Sequence, residues 1–338
     1  MVDDRRLHST TRRGAILSAG GLAASGLTLS AGGARGQAIN PSTSRIPSAT
    51  APPEPPREDP FTLPASTDGS QRLTVPVTID GRGPFPVIFD TGADHTILSA
   101  ELAAALMLPQ GRDVRVHSIS GETRASTARV RRLEVGAHTL SDVSLPVLSR
   151  KGLGAPGLLG LDAVADQRVT LDFRKGEMTI RRSKGIAFDP DAVVVRAAAR
   201  RSGQLLLVDS TVRDEPVFVI LDTGAEVTIG NTALRNLETR RRVRRRFQPP
   251  LETVRVISVT GDTRDGLVDR IGEITLESVK LRGAPVAWSD LHVFGRFGVA
   301  DQPAVLLGMD VLRAFRTVEI DFGRREVGFV LPKDAPTE

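Results

Sequence analysis

The chain has 338 residues, 40% of them hydrophobic, and a formal charge of +5, which is room for about two domains of roughly 150 residues each. Aromatics make up only 4%, Tyr is absent, and 32 Gly and 22 Pro are spread along the chain, so packing rests on Val, Leu and Ile in sheets joined by many turns. The lack of Cys excludes disulfides, thiolate zinc sites and Cys nucleophiles.

The positive charge sits in two places. Residues 1–38 carry five Arg against two Asp, and Arg240-Arg241-Arg242-Val243-Arg244-Arg245-Arg246 carries six more; the rest of the chain is slightly acidic. A dispersed nucleic-acid surface is therefore not expected. At the N-terminus, Thr11-Arg12-Arg13-Gly14 precedes a weakly apolar stretch from Ala15 to Ala31, followed by the small residues of Gly36-Gln37-Ala38. That order reads as an export signal over 1–38. The paired arginines point to the twin-arginine route and a periplasmic destination. Residues 39–70 hold eight Pro and few large apolar side chains, which predicts a disordered spacer or pro-segment. No later stretch reaches the roughly 18 apolar residues of a membrane span.

A first lobe is expected over 71–182. Leu73, Val75, Val77 and Ile79 alternate as in a half-buried strand. Gly81-Arg82-Gly83-Pro84 turns the chain, and the apolar Val87-Ile88-Phe89 ends at Asp90. Ser99 is placed to cap a short helix through Leu106, with Glu101 in its first turn. Residues 183–202 link to a second lobe over 203–331, before a tail at 332–338. That lobe reads as strands at Leu205–Val208 and Val217–Leu221, then a helix near Thr232–Leu237. The Arg240–Arg246 run reads as a solvated insertion and Trp288 as a packing residue. Sheets joined by tight turns, with one short helix each, predict an all-β protein of two small lobes.

The chain also repeats itself in order. Val87-Ile88-Phe89-Asp90-Thr91-Gly92-Ala93 matches Val219-Ile220-Leu221-Asp222-Thr223-Gly224-Ala225. Ser118-Ile119-Ser120-Gly121-Glu122-Thr123-Arg124 matches Ser258-Val259-Thr260-Gly261-Asp262-Thr263-Arg264. Leu158-Leu159-Gly160-Leu161-Asp162 matches Leu306-Leu307-Gly308-Met309-Asp310, and Val169–Phe173 matches Val318–Phe322.

One Asp-Thr-Gly is usually a turn; two at matching places in a duplicated chain point to chemistry. A pseudo-twofold axis between the lobes would bring Asp90 and Asp222 together. Two like charges about 4 Å apart repel by roughly 4 kcal/mol at an effective dielectric of 20, which is about three pK units. The pair would hold one shared proton over an intermediate pH range, so that one member serves as base and the other as acid toward a water. Such a mechanism needs neither metal nor cofactor. The five His show no metal-ligand spacing and no Ser/His/Asp order; His95, beside Asp94, is the one placed to line a cleft.

These residues resemble the retropepsin-like aspartic proteases and their bacterial relatives, over about 70–182 and 203–331. The resemblance implies two pseudo-twofold-related β lobes with the active site between them, and an endopeptidase acting on polypeptides as a monomer with an internal dyad. It implies that Asp90 and Asp222 are catalytic and that Thr91 and Thr223 interlock. Gly92, Ala93, Gly224 and Ala225 complete the active-site loops. Leu158, Leu159 and Gly160, with Leu306, Leu307 and Gly308, brace those loops. Asp94 and Glu226 hold substrate backbone, and Gly121 and Gly261 lie at the tips of hairpin flaps. Retroviral members carry Arg after the apolar-apolar-Gly stretch, where Leu161 and Met309 stand here. The alternative from another class is an exported binding protein for peptide or polymer that keeps the fold without turnover.

Overall fold

A computed structural model describes residues 14–17, 60–118, 121–183, 187–199, 204–207, 209–239 and 251–333. The alternation in Leu73–Ile79 becomes a strand whose Leu73, Val75, Val77 and Ile79 are all buried. It turns at Asp80–Gly81, both with positive φ (46° and 76°), as a two-residue hairpin loop demands, and returns as Arg82–Phe89. The turn falls before Arg82 rather than running to Pro84, because Arg82 already pairs with Ile79.

The first half is one sheet. Leu73–Ile79 is followed in hydrogen-bonded order by Arg82–Phe89, Gly157–Leu159, Ile97–Ser99, His138–Leu148 and Thr127–Val135, and the last pairs back onto Leu73–Ile79. That closure makes a six-stranded barrel and removes the open edges. The second half has a similar succession: Leu205–Leu207, Phe218–Leu221, Ala304–Leu307, Ile229–Gly230, Pro285–Trp288, Thr263–Arg270 and Thr253–Ser258. In each half the strand leading to an Asp-Thr-Gly pairs in parallel with an apolar strand from far along the chain, Leu158 with Ile88 and Leu306 with Ile220. A separate small sheet (Ser210–Val212, Glu215–Pro216, Glu273–Leu276 and Val279–Arg282) completes the second half.

The helices are short: α1 (Ala100–Ala105), α2 (Arg150–Leu153), α3 (Thr232–Thr239), α4 (His292–Arg296) and α5 (Met309–Leu312). α1 starts as expected, with the Ser99 hydroxyl accepting from the Leu102 N–H at 3.0 Å. The single-turn α2, α4 and α5 are too short for a helical period to show in sequence.

A bridging sheet joins the halves. Gln167–Asp172 pairs antiparallel with Thr317–Asp321. Glu177–Arg182 and then Phe61–Pro64 extend it on one side, Glu326–Val330 and then Ala192–Ala199 on the other. Val169, Leu171, Val318 and Ile320 are fully buried or nearly so. Arg168, 0% exposed, crosses from one half to the other. Its guanidinium donates to Asp321 at 2.7 and 2.8 Å and to the Ala187 carbonyl at 2.9 Å, lies 3.5 Å from Glu319, and stacks 4.0 Å over the Phe188 ring. Burial of a charge is tolerable only with this degree of pairing.

Two segments differ from expectation. Within 39–70, Phe61–Pro64 is a strand rather than disordered chain. Its Leu63 is buried, and its Phe61 ring packs where a Cβ on Gly136 would approach within 2.4 Å; Glu177–Arg182 would otherwise be an open edge. Within 183–202, Ala192–Ala199 is likewise a strand, pairing both Glu326–Val330 and Leu205–Leu207. The Arg240–Arg246 run lies outside the described residues. So does the expected export signal, apart from Gly14–Leu17, which runs parallel to Thr253–Ser258. Among the described residues no helix is long and apolar enough to cross a membrane.

Candidate active site

Asp90 and Asp222 stand where the apolar strands Arg82–Phe89 and Phe218–Leu221 end, and both are 0% exposed. Their backbones are pinned alike. The Asp90 N–H donates to the Leu159 carbonyl and the Asp222 N–H to the Leu307 carbonyl, each at 3.0 Å. Their carboxylates are also held alike: the Gly92 N–H reaches Asp90 Oδ1 at 2.8 Å, and the Gly224 N–H reaches Asp222 Oδ1 at 2.9 Å. The Ala225 N–H adds a second bond to Asp222 Oδ1 at 3.1 Å.

The threonines cross between the halves. Thr91 Oγ1 donates to the Leu221 carbonyl (2.9 Å) and accepts from the Thr223 N–H (3.1 Å). Thr223 Oγ1 donates to the Phe89 carbonyl (2.7 Å) and accepts from the Thr91 N–H (3.0 Å). Four buried bonds thus lock one loop to the other, and the Gln204 amide adds a fifth contact to the Gly92 carbonyl at 2.6 Å.

This lock sets the two carboxyls close enough for the charge of Asp90 to act on Asp222. Burial first, then the charge of Asp90, hold the Asp222 carboxyl well above the usual carboxylate range, against the pull of the Gly224 N–H. Two like charges that close in a dry site cannot both ionise easily, and the proton belongs to the pair rather than to either member.

The apolar-apolar-Gly stretches run beneath these loops. A Cβ on Gly160 would lie 2.4 Å from the His95 backbone carbon, and one on Gly308 would lie 2.6 Å from that of Val227. Only glycine permits so close an approach. Leu161 and Met309, buried at the head of the following turns, donate their N–H groups to Ala93 and Ala225 at 2.9 and 2.8 Å.

Two further pairs were not assigned from sequence. Asp162 accepts from the Thr96 N–H and hydroxyl (2.9 and 2.7 Å), and Asp310 from the Thr228 N–H and hydroxyl (3.1 and 2.7 Å). Each threonine hydroxyl in turn accepts from the N–H of Gly160 or Gly308, at 3.2 and 3.0 Å. The signal was available, because Asp162 and Asp310 recur at matching places in the repeat and Thr96 and Thr228 each follow a candidate Asp by six residues. His95, 45% exposed, leans on this brace with Nδ1 3.5 Å from Asp162, and that hydrogen bond first raises its pKa.

The outlying residues are placed as follows. Asp94 is buried and lies 3.5 Å from the Arg296 guanidinium of α4, while Glu226 is partly exposed. Gly121 (φ 150°) opens the second strand of a hairpin formed by Val114–Ser118 and Gly121–Ala125. Gly261 (φ 89°) sits in the turn of the hairpin formed by Thr253–Ser258 and Thr263–Arg270. The two tips touch, Thr260 Oγ1 to Ser118 Oγ at 3.2 Å. Trp288 is buried against Gly230. An open cavity of about 940 Å³, lined by Arg82, Met107, Leu108, Arg112 and Arg129 among others, contains none of these groups.

Residues 75–163 match the family model of the aspartyl proteases. Over that stretch, 89 of the 338 residues, the chain is similar to retropepsin-like aspartyl proteases. The matched stretch contains Asp90-Thr91-Gly92-Ala93 and its Leu158-Leu159-Gly160 brace. The family points to a hydrolase acting on peptide bonds. No curated protein matches the chain significantly.

Proposed function

We propose that the protein is an aspartic endopeptidase in which Asp90 and Asp222 form one catalytic dyad inside a single chain. The reading takes the two halves as pseudo-twofold-related retropepsin-like lobes, 71–182 and 203–331, with the cleft between them. The observation that carries it is the crossed pair of threonines, which ties together the loops of two buried carboxyls; burial and the charge of Asp90 raise the pKa of Asp222.

In that state the ionised carboxylate takes a proton from a water lying between the pair, and the water attacks the peptide carbonyl. The protonated carboxyl donates to the developing oxyanion. Collapse of the tetrahedral species breaks the C–N bond, and the proton returns through the dyad to the leaving amine. Gly92, Gly224 and Ala225 N–H groups keep the carboxylates in place through the cycle. The two hairpins cover the cleft, and an extended substrate pairs with their backbone as an added strand. Because both aspartates come from one chain, a monomer suffices. We read residues 1–38 as the signal that exports the protein to the periplasm.

The test is cleavage of an unfolded protein mixture at mildly acidic pH, with released peptides read by mass spectrometry. Wild type should cut and Asp222→Asn should not, while both keep the same circular dichroism spectrum. Retained turnover in Asp222→Asn removes that residue from the mechanism.

A further inference from the structure

The first hairpin, the helix α4 and the loop after Asp90 meet at one corner. His117, on the strand Val114–Ser118, stacks on His292 at the head of α4, with ring centroids 5.9 Å apart and planes within 10°. One turn along the same helix, Arg296 reaches Asp94, four residues past Asp90. Arg115 and Glu122 complete the corner from the hairpin, with Glu122 3.5 Å from Arg115 and 3.6 Å from His117. In the repeat, the residue matching His117 is the uncharged Ile257, so the corner exists on one side only.

Its charge depends on pH. Arg115 and Arg296 balance Glu122 and Asp94 while the His117 imidazole is neutral. Once His117 takes up a proton, one positive charge stands in excess. Burial first, then the cation of Arg296, push the pKa of His117 down; Glu122 opposes them, and His292 and Arg115 add to the lowering. The groups facing His117 therefore lack one thing that would stabilise its proton, a further anion.

We propose that this corner is a specificity subsite that takes the carboxylate of an acidic side chain of the substrate, close to the scissile bond and in mild acid. The inference rests on the aspartic-protease reading. Free Asp and Glu ionise near 4, so above that pH a substrate carboxylate is charged, and beside His117 its charge opposes the burial and the Arg296 cation that disfavour the imidazole's proton. Its arrival restores electroneutrality, raises the pKa of His117 and draws protons onto the protein. Above about pH 7, where free imidazole is neutral, the excess charge disappears and so does the preference. His117, on the hairpin strand and 12% exposed, and Arg296, held by Asp94, are the positioning members; His292 is the more exposed contact.

The subsite is tested by binding, in the non-cleaving Asp222→Asn protein. Peptides from a known cleavage site, or an extended test peptide, are compared as Glu and Gln versions at each position in turn, at pH 5 and pH 8. One position should favour Glu by about tenfold at pH 5, the gain of one charge-assisted pair, and by no measurable factor at pH 8. Calorimetry in two buffers of different ionisation heat should show proton uptake with the Glu peptide alone. Adding His292→Gln or, separately, His117→Gln should bring the ratio close to one. Absence of any Glu preference at pH 5, a preference that persists at pH 8, or one that both substitutions leave intact overturns the inference. Wild-type turnover is scored apart. A wild type that cuts without regard to Glu removes the subsite alone, whereas a wild type that cuts nothing removes the protease reading.

Discussion

The two halves of the molecule share a floor and differ in their walls. Asp, Thr and Gly of the two Asp-Thr-Gly loops make the same bonds in each half, often within 0.1 Å of each other, as with Gly92 and Gly224 at 2.8 and 2.9 Å. Beyond the loops and their Asp-Thr braces the correspondence is only partial. Gln204 stands at the repeat position of Arg72 and donates to the Gly92 carbonyl. Arg72, 1% exposed, is tied instead to Asp68 at 2.7 and 2.8 Å, and its Nη1 has no hydrogen-bond partner among the described residues. Asp94 is bound by Arg296, whereas Glu226 is partly exposed. The family match stops at residue 163, inside the first half. A residue that must satisfy partners in both halves has little room to change, while a residue that serves one half can drift.

That contrast can be broken experimentally at several levels. The largest effect should come from the floor. Asp90→Asn and Asp222→Asn should each cut turnover by roughly a thousandfold or more, and equally, despite the different walls; a large residual rate in only one of them would show that the dyad is not shared. Next is the bridge. Arg168→Ala leaves Asp321 and Glu319 buried without their cation and should cost about 3–5 kcal/mol in urea unfolding, with the two halves then melting in separate steps. A single unshifted transition would mean that apolar strand pairing alone joins them.

The crossed threonines come third. Thr91→Val and Thr223→Val each strand a buried carbonyl and N–H, so each should lower stability by about 1–3 kcal/mol. The double substitution should cost less than the sum, because both remove the same lock; strict additivity would deny the coupling. The subtlest test is the pH dependence of Asp222→Asn. The folded pKa of Asp222 lies above its unfolded value, so the native state binds more protons between the two, and wild-type stability falls as pH rises through that window. Asn carries no such cost. The variant should melt above wild type toward neutral pH and lose that advantage as pH falls to the unfolded carboxyl value near 3.9. A difference that stays constant across pH would contradict a raised carboxyl.

Much of the site was legible before any coordinates. The doubled Asp-Thr-Gly-Ala, the doubled apolar-apolar-Gly and the Ser99 cap are contiguous patterns, and each appears where the pattern puts it. The bracing acids Asp162 and Asp310 were legible in principle, since they recur, but an Asp two residues past a glycine carries no role until its Thr96 or Thr228 partner is seen. Arg168 carried no assignment from sequence, because nothing local says that a strand from the other half will bury it. Phe61–Pro64 was hidden by the prolines around it; its strand depends on an edge more than a hundred residues away.

The amino-acid order by itself determined the β character, the paired acidic loops, and the glycines on which those loops rest, because each of these is set by period, turn chemistry or repetition within a few residues. Only the tertiary structure decided that Gln167–Asp172 meets Thr317–Asp321, that Arg296 reaches Asp94 and that His117 lies on His292. Those meetings depend on closing loops of more than a hundred residues, and hydrophobic period carries no record of which distant strand or helix will arrive.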